Sequence, residues 1–292
     1  MRVLKTVDPQ FRAKRHTPYA QLFIGLVTLS FFLILLVVAY ILWMPNLSKL
    51  KKENPKKTAL MEYREKTLKE KVKKYRVDQS WVPYSKISPY LIKAVLIAED
   101  DKFWNHEGFD YEAIQKAIEK DLKAKKFKFG GSTITQQLAR NLFLSPEKTM
   151  IRKFSEAVIT WRMEKVLSKR RILELYLNVA EWGEGIFGAE AASRHYFGKP
   201  SSELNPAEAA RLAAILPNPR RYRPMGDQRY VINRSNLIYN IMIRRGIVIP
   251  EYEEIYQEVT ESSESSSPEE TVPEETISDA PVSKEEDGAE DR

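Results

Sequence analysis

A mainly helical protein behind one membrane-crossing helix is what this 292-residue sequence predicts, on three observations. Leu22 to Met44 is a 23-residue stretch without a charge. Beyond it, apolar residues recur three and four apart behind helix-start signals, as in Leu91, Ile92, Val95 and Ala98 after Ser88-Pro89. From Glu251 onward Ser, Glu and Pro dominate, a composition that cannot bury a core and reads as a disordered tail.

The elements follow in order. Residues 1–21 form a basic arm, with Arg2, Lys5, Arg12, Lys14 and Arg15 against the single acid Asp8. The span 22–44 reaches roughly 35 Å as a helix, enough for a hydrocarbon core of about 30 Å. A cleaved signal peptide is the competing reading, but its apolar region would be shorter and followed by small residues. Here Trp43-Met44-Pro45 follows. The short basic arm stays cytoplasmic and the large following part is translocated. Residues 45–78, rich in lysine and glutamate, read as a helical or loosely ordered stalk. A folded domain then occupies 79–250.

Ser88-Pro89 pairs a capping hydroxyl with proline at the first helical position. The helix it starts delivers Glu99 and Asp100 to its C-terminal end, where the helix dipole disfavours anions. A carboxylate there is expected to have a raised pKa, which suits a proton acceptor. After Gly130-Gly131, Ser132 or Thr133 caps a second helix running to about Phe143, with Ile134, Leu138 and Leu142 on its buried face. Thr133, Gln136, Gln137, Arg140 and Asn141 form its polar stripe. Free amides at its start, with Arg140 one turn on, are expected to cradle a phosphate. A third helix from about Ile151 to Leu167 puts Lys153 and Glu156 on one face, beside Arg152. Glu174, in a largely apolar helix, is expected to be a buried carboxylate bonded to neighbouring arginines. Gly183, Gly185 and Gly188 mark tight turns or close backbone approach. Leu204 to Leu216 reads as a last helix before Pro217-Asn218-Pro219. Between the first two motifs, the basic segment Lys120 to Phe129 is read as resting on the membrane, with Phe127 and Phe129 dipping into the interface.

Charge narrows the partners. The chain carries +7 overall, yet the tail from Glu251 holds 16 acidic and 2 basic residues, which leaves +21 on residues 1–250. Such an excess expects nucleic acid, a phospholipid surface or a phosphorylated substrate. Outside the cytoplasmic membrane, nucleic acid is excluded and membrane lipids are favoured. Cysteine is absent, so disulfides and thiolate metal sites are excluded, and three histidines leave little for a histidine metal centre.

Five motifs occur in order. They are Glu99-Asp100-x-x-Phe103-x-x-His106-x-Gly108, Gly130-Gly131-Ser132-Thr133-Ile134-Thr135-Gln136-Gln137 and Arg152-Lys153-x-x-Glu156. Ile172-Leu173-Glu174-x-Tyr176-Leu177-Asn178 follows, then Gly185-x-x-Gly188-x-x-x-Ala192 running on to Tyr196-Phe197-Gly198-Lys199. As a set they resemble the peptidoglycan glycosyltransferases of family 51, over about Gln79 to Tyr230. The block Glu181 to Gly188, and Leu216-Pro217-Asn218-Pro219, are similar to the monofunctional branch. The 42 residues after Pro250 contain no Lys-Thr-Gly, so no transpeptidase domain is expected.

The resemblance implies a lysozyme-like helical lobe with a small membrane-seated jaw lobe, in the bacterial inner membrane. It implies attack of the acceptor lipid II 4-hydroxyl on the anomeric carbon of a lipid-linked glycan chain, with inversion and release of undecaprenyl pyrophosphate. Glu99 would be the general base. Glu156 would be a second essential carboxylate near the leaving pyrophosphate, and Lys153 with Arg152 would offset its charge. Ser132, Thr133, Gln136, Gln137, Arg140 and Asn141 map to the substrate cleft, and Asp100, Phe103 and His106 shape it. Arg140 stands where many relatives have lysine, which preserves the charge. A divalent metal, Mg²⁺, is implied by the family, with no residue assigned to hold it. Other wall-synthesis and division proteins are expected partners, and the acidic tail is a candidate surface for them. Two rivals remain: a lytic glycosidase, which would need an acid for its sugar leaving group rather than cations for a pyrophosphate, and an inactive membrane scaffold.

Overall fold

The computed structural model describes residues 18–43, 45–69, 76–124, 131–147 and 149–249. The chain divides into units 1–247 and 248–292, and of the second only Val248 and Ile249 are described. The basic arm to residue 17, Phe127, Phe129 and Gly130, and the acidic tail all lie outside the described residues.

The mainly helical expectation holds, with ten α-helices among the described residues. The first, α1 (Pro18–Trp43), contains a segment Gln21–Tyr40 long and apolar enough to cross a membrane, none of it buried against protein. Then come α2 (Ala59–Lys69), α3 (Pro89–Glu99), α4 (Tyr111–Ala124), α5 (Ile134–Phe143), α6 (Met150–Val166) and α7 (Lys169–Val179). The series ends with α8 (Ala189–Phe197), α9 (Pro206–Ile215) and α10 (Arg229–Arg244). A minimal sheet interrupts them: β1 (Asp78–Gln79), β2 (Glu181–Gly183) and β3 (Ile186–Phe187), in the order β1-β3-β2. The β1–β3 pair is parallel and β2–β3 antiparallel.

Two packed groups carry the core. In one, α3 lies against α9 and α10, and those two lie against each other; in the other, α5 lies between α6 and α7. Leu91, Ala94 and Val95 of α3 are fully buried, as are Ile134 and Leu138 of α5. Ser88 caps α3 as its sequence indicates, accepting from the Tyr90 N–H, with Pro89 at the first helical position. The last predicted helix starts later than Leu204, because Asn205 and Glu208 form a reciprocal capping box that fixes the start at Pro206.

The stalk is no loose spacer. Leu47, Leu50, Met61 and Leu68 are buried, and α2 packs on α5. Arg171 of α7 donates to the carbonyls of Leu50 and Glu53 at 2.8 and 3.0 Å, and to Asn54 Oδ1 at 2.7 Å. The same guanidinium pairs with Glu174, whose other oxygen accepts the Tyr84 N–H at 3.0 Å. Glu174 is thus bonded to one arginine and one backbone amide. The anchor also touches the body: the Tyr40 and Ser155 hydroxyls share a 2.5 Å hydrogen bond, and Tyr40 stacks on Phe154 of α6. Nearby Met150 and Ile151 of α6 are exposed, as are Tyr111, Ile118 and Leu122 of α4. Part of the predicted membrane-resting segment, up to Ala124, is the end of α4.

Gly188 shows why the glycines cluster. Its φ is 85°, and a Cβ there would sit 2.7 Å from the Asn178 carbonyl oxygen. Gly188→Ala should therefore destabilise the domain by about 2 kcal/mol, combining left-handed strain with a backbone clash. Urea unfolding measures it, and an unchanged midpoint would contradict this geometry.

Candidate active site

Glu99 is the final residue of α3, with Asp100 as the C-cap. The helix end therefore places two successive carboxylates, both largely buried, against neighbouring elements. The Glu99 side chain is only 11 % exposed. Its Oε2 accepts from Gln137 Nε2 of α5 at 2.9 Å, and Gln137 Oε1 accepts from the Tyr176 hydroxyl of α7 at 3.1 Å. Its Oε1 is buried without a hydrogen bond, 3.6 Å from an Arg234 guanidinium nitrogen of α10. Burial pushes the Glu99 pKa up, and the Gln137 bond and the Arg234 and Arg140 charges offset only part of that. The buried Tyr176 hydroxyl, facing Glu99, is held well above its ordinary range and so serves as a neutral donor.

Asp100 points the other way. Its Oδ2 accepts the Ile134 N–H at 2.9 Å, and its Oδ1 lies 2.8 Å from His106 Nε2. Because His106 Nδ1 accepts the Gly108 N–H at 3.1 Å, Nε2 carries the proton and donates to Asp100. Phe103, fully buried, sets its ring edge-on to His106, with the Lys169 ammonium 4.4 Å from the ring centre. Asp100, Phe103 and His106 thus brace the turn after Glu99 against the start of α5. Asp100→Ala would strand the Ile134 amide and the imidazole N–H, a loss of about 1–3 kcal/mol. A melting temperature equal to wild type would remove Asp100 from that role.

The start of α5 corrects one expectation. Of the two candidate caps, Ser132 and Thr133, it is Thr133 that caps the helix, and it forms a reciprocal box with Gln136. The Thr133 amide donates to Gln136 Oε1 at 3.0 Å, the Ile134 amide to Asp100, and the Gln136 amide to Thr133 Oγ1 at 3.3 Å. The Thr133 hydroxyl itself donates to the Gly108 carbonyl at 2.7 Å. These amides are satisfied by the protein's own side chains, so they do not form an open phosphate cradle. Thr133 and Gln136 are buried. The remainder of the stripe is open: Gln137, Arg140 and Asn141 line a cavity of about 200 Å³ with Arg64 of α2, Tyr176 and Glu181 of β2. Arg64 donates to Glu181 Oε2 at 2.8 Å, while Glu181 Oε1 is buried and unbonded.

A second charged group sits on α6. Thr149 caps this helix, and Glu156, fully buried, accepts from Arg152 at 2.7 Å and from Lys153 at 2.5 Å. The spacing of three and four residues put all three on one face. Lys153 keeps half of its side chain in solvent, so its cation faces outward from a buried anion. Both Glu156 oxygens are thereby engaged, and no three His, Cys, Asp or Glu side chains converge among the described residues. Among the described residues, these side chains form no cage for a divalent ion.

The structure joins Glu99 directly to Gln137, groups Asp100, Phe103, His106, Thr133 and Gln136 as their support, and keeps Arg152, Lys153 and Glu156 together on α6. Sequence reasoning missed four participants. Tyr176 lay inside a recognised motif without a role. Arg64 and Glu181 lie 117 residues apart, and Arg234 stands 135 residues beyond Glu99, so neither contact leaves a local signal.

Comparison with known proteins gives the family. Residues 64–243 match a family model described as transglycosylase. A biosynthetic peptidoglycan transglycosylase of Nitrosospira multiformis is 52% identical over 194 residues, covering 66% of this chain and 84% of the relative. One from an Azoarcus species is 58% identical over 169 residues, covering 58% and 73%. One from Aromatoleum aromaticum is 50% identical over 212 residues, covering 71% and 92%.

Proposed function

The chain belongs to the transglycosylase family and is a peptidoglycan glycosyltransferase of cell-wall synthesis, and we propose that it polymerises lipid II by the inverting route, releasing undecaprenyl pyrophosphate. The single observation that carries the mechanism is Glu99, a carboxylate buried at a helix end with its pKa raised.

In this reading the 4-hydroxyl of the acceptor sugar approaches Glu99. Oε2 accepts one hydrogen bond, from Gln137, and keeps a lone pair for the hydroxyl proton. As the proton transfers, the hydroxyl oxygen forms its bond to the anomeric carbon of the donor. The bond from that carbon to the pyrophosphate breaks on the opposite face, and its electron pair leaves with the phosphate. An α-linked donor thus gives a β-1,4 product. The leaving group gains negative charge, which the cations of Arg152, Lys153 and Arg140 stabilise. Glu156 keeps Arg152 and Lys153 pre-aimed, so that they need not reorganise during the reaction. The polar stripe Gln137, Arg140 and Asn141 orients the donor sugars along the cavity wall. Ser132, just before the cap, is assigned to the substrate cleft by the family motif alone.

The anchor supports an extracytoplasmic, single-pass arrangement, with the arm at 1–21 in the cytoplasm. The bond of Tyr40 to Ser155 ties α6 to the end of the span. The exposed Met150, Ile151 and Phe154 are then at bilayer level, where a lipid-linked substrate presents its pyrophosphate. Mg²⁺ is part of the proposed reaction mixture because the substrate pyrophosphate binds it; no step is assigned to it. Other wall-synthesis and division proteins are proposed partners.

The test is polymerisation of labelled lipid II by the full chain in detergent with Mg²⁺. Glycan strands are expected. A folded protein that yields none, beside an active control polymerase, would overturn the reading.

A further inference from the structure

We infer that Arg234 of α10 is a positioning residue for the base: it stands behind Glu99, on the buried carboxylate oxygen, and holds that carboxylate aimed and ionised. The inference rests on the proposed role of Glu99 and adds a residue on which none of the five motifs bears.

The geometry is specific. A helix C-terminus leaves its last carbonyls without intrahelical donors and presents the negative end of the dipole. α3 ends at Glu99, so a carboxylate stands where both effects repel it. One Arg234 guanidinium nitrogen donates to the Ala98 carbonyl at 2.9 Å and lies 3.6 Å from Glu99 Oε1. A single cation therefore caps the helix and faces the anion. Its Nε is buried without a partner, so the side chain is held there despite an unsatisfied donor.

The same helix braces the turn at a second point. Arg245, at the C-cap of α10, donates two bonds to the Asp101 carboxylate, at 2.5 and 2.8 Å. Arg234 and Arg245 thus hold Ala98 and Asp101, on either side of the Glu99-Asp100 pair. Only Arg234 faces Glu99; the Arg245 pair is about half exposed and bonded to another carboxylate. Bracing and charge are therefore separable.

The other groups around Glu99 are few. α5 brings Gln137 and Arg140, α7 brings Tyr176, α10 also brings Tyr230, and Asp100 adjoins Glu99 in sequence. α9 packs on α3, but its Glu208 bonds with Asn205 and Lys199 and its Arg211 with the Pro224 carbonyl. Of these groups, Arg234 is the one that pairs with the carboxylate oxygen not used by Gln137.

The experiment is the pH dependence of kcat and KM for lipid II polymerisation by the full chain, for wild type, Arg234→Gln, Arg234→Lys and Arg245→Gln. Wild-type turnover, abolished by Glu99→Gln, comes first; its absence would sink the functional reading rather than this one. Arg234→Gln keeps an N–H for Ala98 and removes the charge. Its acid limb should move up by about one pH unit, so that activity below the limb falls about tenfold with KM little changed. Arg234→Lys should keep the wild-type limb, and Arg245→Gln should lower the melting temperature without moving it. An unmoved limb in Arg234→Gln would overturn the inference and leave Arg234 a packing residue. Should Arg234→Gln not fold, a limb displaced upward in Arg234→Lys would overturn it equally, because the charge is still present there.

Discussion

Glu99→Gln is expected to abolish glycan polymerisation while making the folded domain more stable. The activity loss is about 10³-fold, the range of a positioned base, because the amide has no lone pair of comparable basicity. The stability gain follows from linkage. Burial raises the folded-state pKa of Glu99 above its unfolded value, so the folded protein favours the protonated form. That contribution is fully present below the unfolded pKa and is lost as pH rises through the folded one. At neutral pH the ionised carboxylate therefore destabilises the native state, and the neutral amide relieves this. The Gln variant should melt above wild type at neutral pH, and the two curves should converge in acid. In wild type, turnover should fall with decreasing pH at a value above that of an ordinary glutamate, since the base must be ionised to act. A Gln variant that melts at or below wild type at neutral pH would contradict the assigned burial. One that still polymerises would move the base elsewhere.

Glu156→Ala should have the larger effect on the fold. The carboxylate is fully buried between Arg152 and Lys153, and its removal leaves Arg152, mostly buried, with its charge uncompensated. Breaking a buried pair from one side costs about 3–5 kcal/mol, and the lower end applies because Lys153 rehydrates readily. Denaturant unfolding should show a loss of about 3 kcal/mol for Ala and a smaller one for Glu156→Gln, which preserves shape and accepts one bond. Both should lose polymerisation, since Arg152 and Lys153 are no longer held toward the pyrophosphate. A Glu156→Ala protein as stable as wild type would mean that these cations are solvated in the folded state.

The two carboxylates differ in a way that suits two tasks. Glu99 has a single neutral hydrogen-bond donor and a cation at 3.6 Å, so it retains basicity. Glu156 has two charge-assisted bonds at 2.7 and 2.5 Å, so its charge is already spent on cations. The first arrangement suits taking a proton, as proposed, and the second suits orienting positive charge.

Much of this was legible before any coordinates. The span from Leu22, the Ser88-Pro89 cap, the buried face of Ile134, Leu138 and Leu142, and the Lys153–Glu156 pair are all local. Each depends on residues within a few turns, and helical periodicity places those without reference to the rest of the chain. The ordered motifs then indicated the family and a candidate base. The packing of the stalk was not legible because four apolar residues, Leu47, Leu50, Met61 and Leu68, are diluted among lysines, and average composition hides them. The phosphate cradle was misread for a different reason. Whether a helix N-terminus is open depends on what else reaches it, and here Asp100 arrives from 34 residues away.

From residue order alone came the helical class, the anchor, the family and Glu99 as the proposed base, because each is written in local pattern. Only the tertiary structure decided how that base is held: Gln137 in front, Tyr176 beyond it, and Arg234 behind. Those contacts span 38 to 136 residues of sequence, and packing of α3 against α10 and of α5 against α7 creates them. A pKa set by burial and by a distant guanidinium is a property of that packing, and no spacing rule along the chain encodes it.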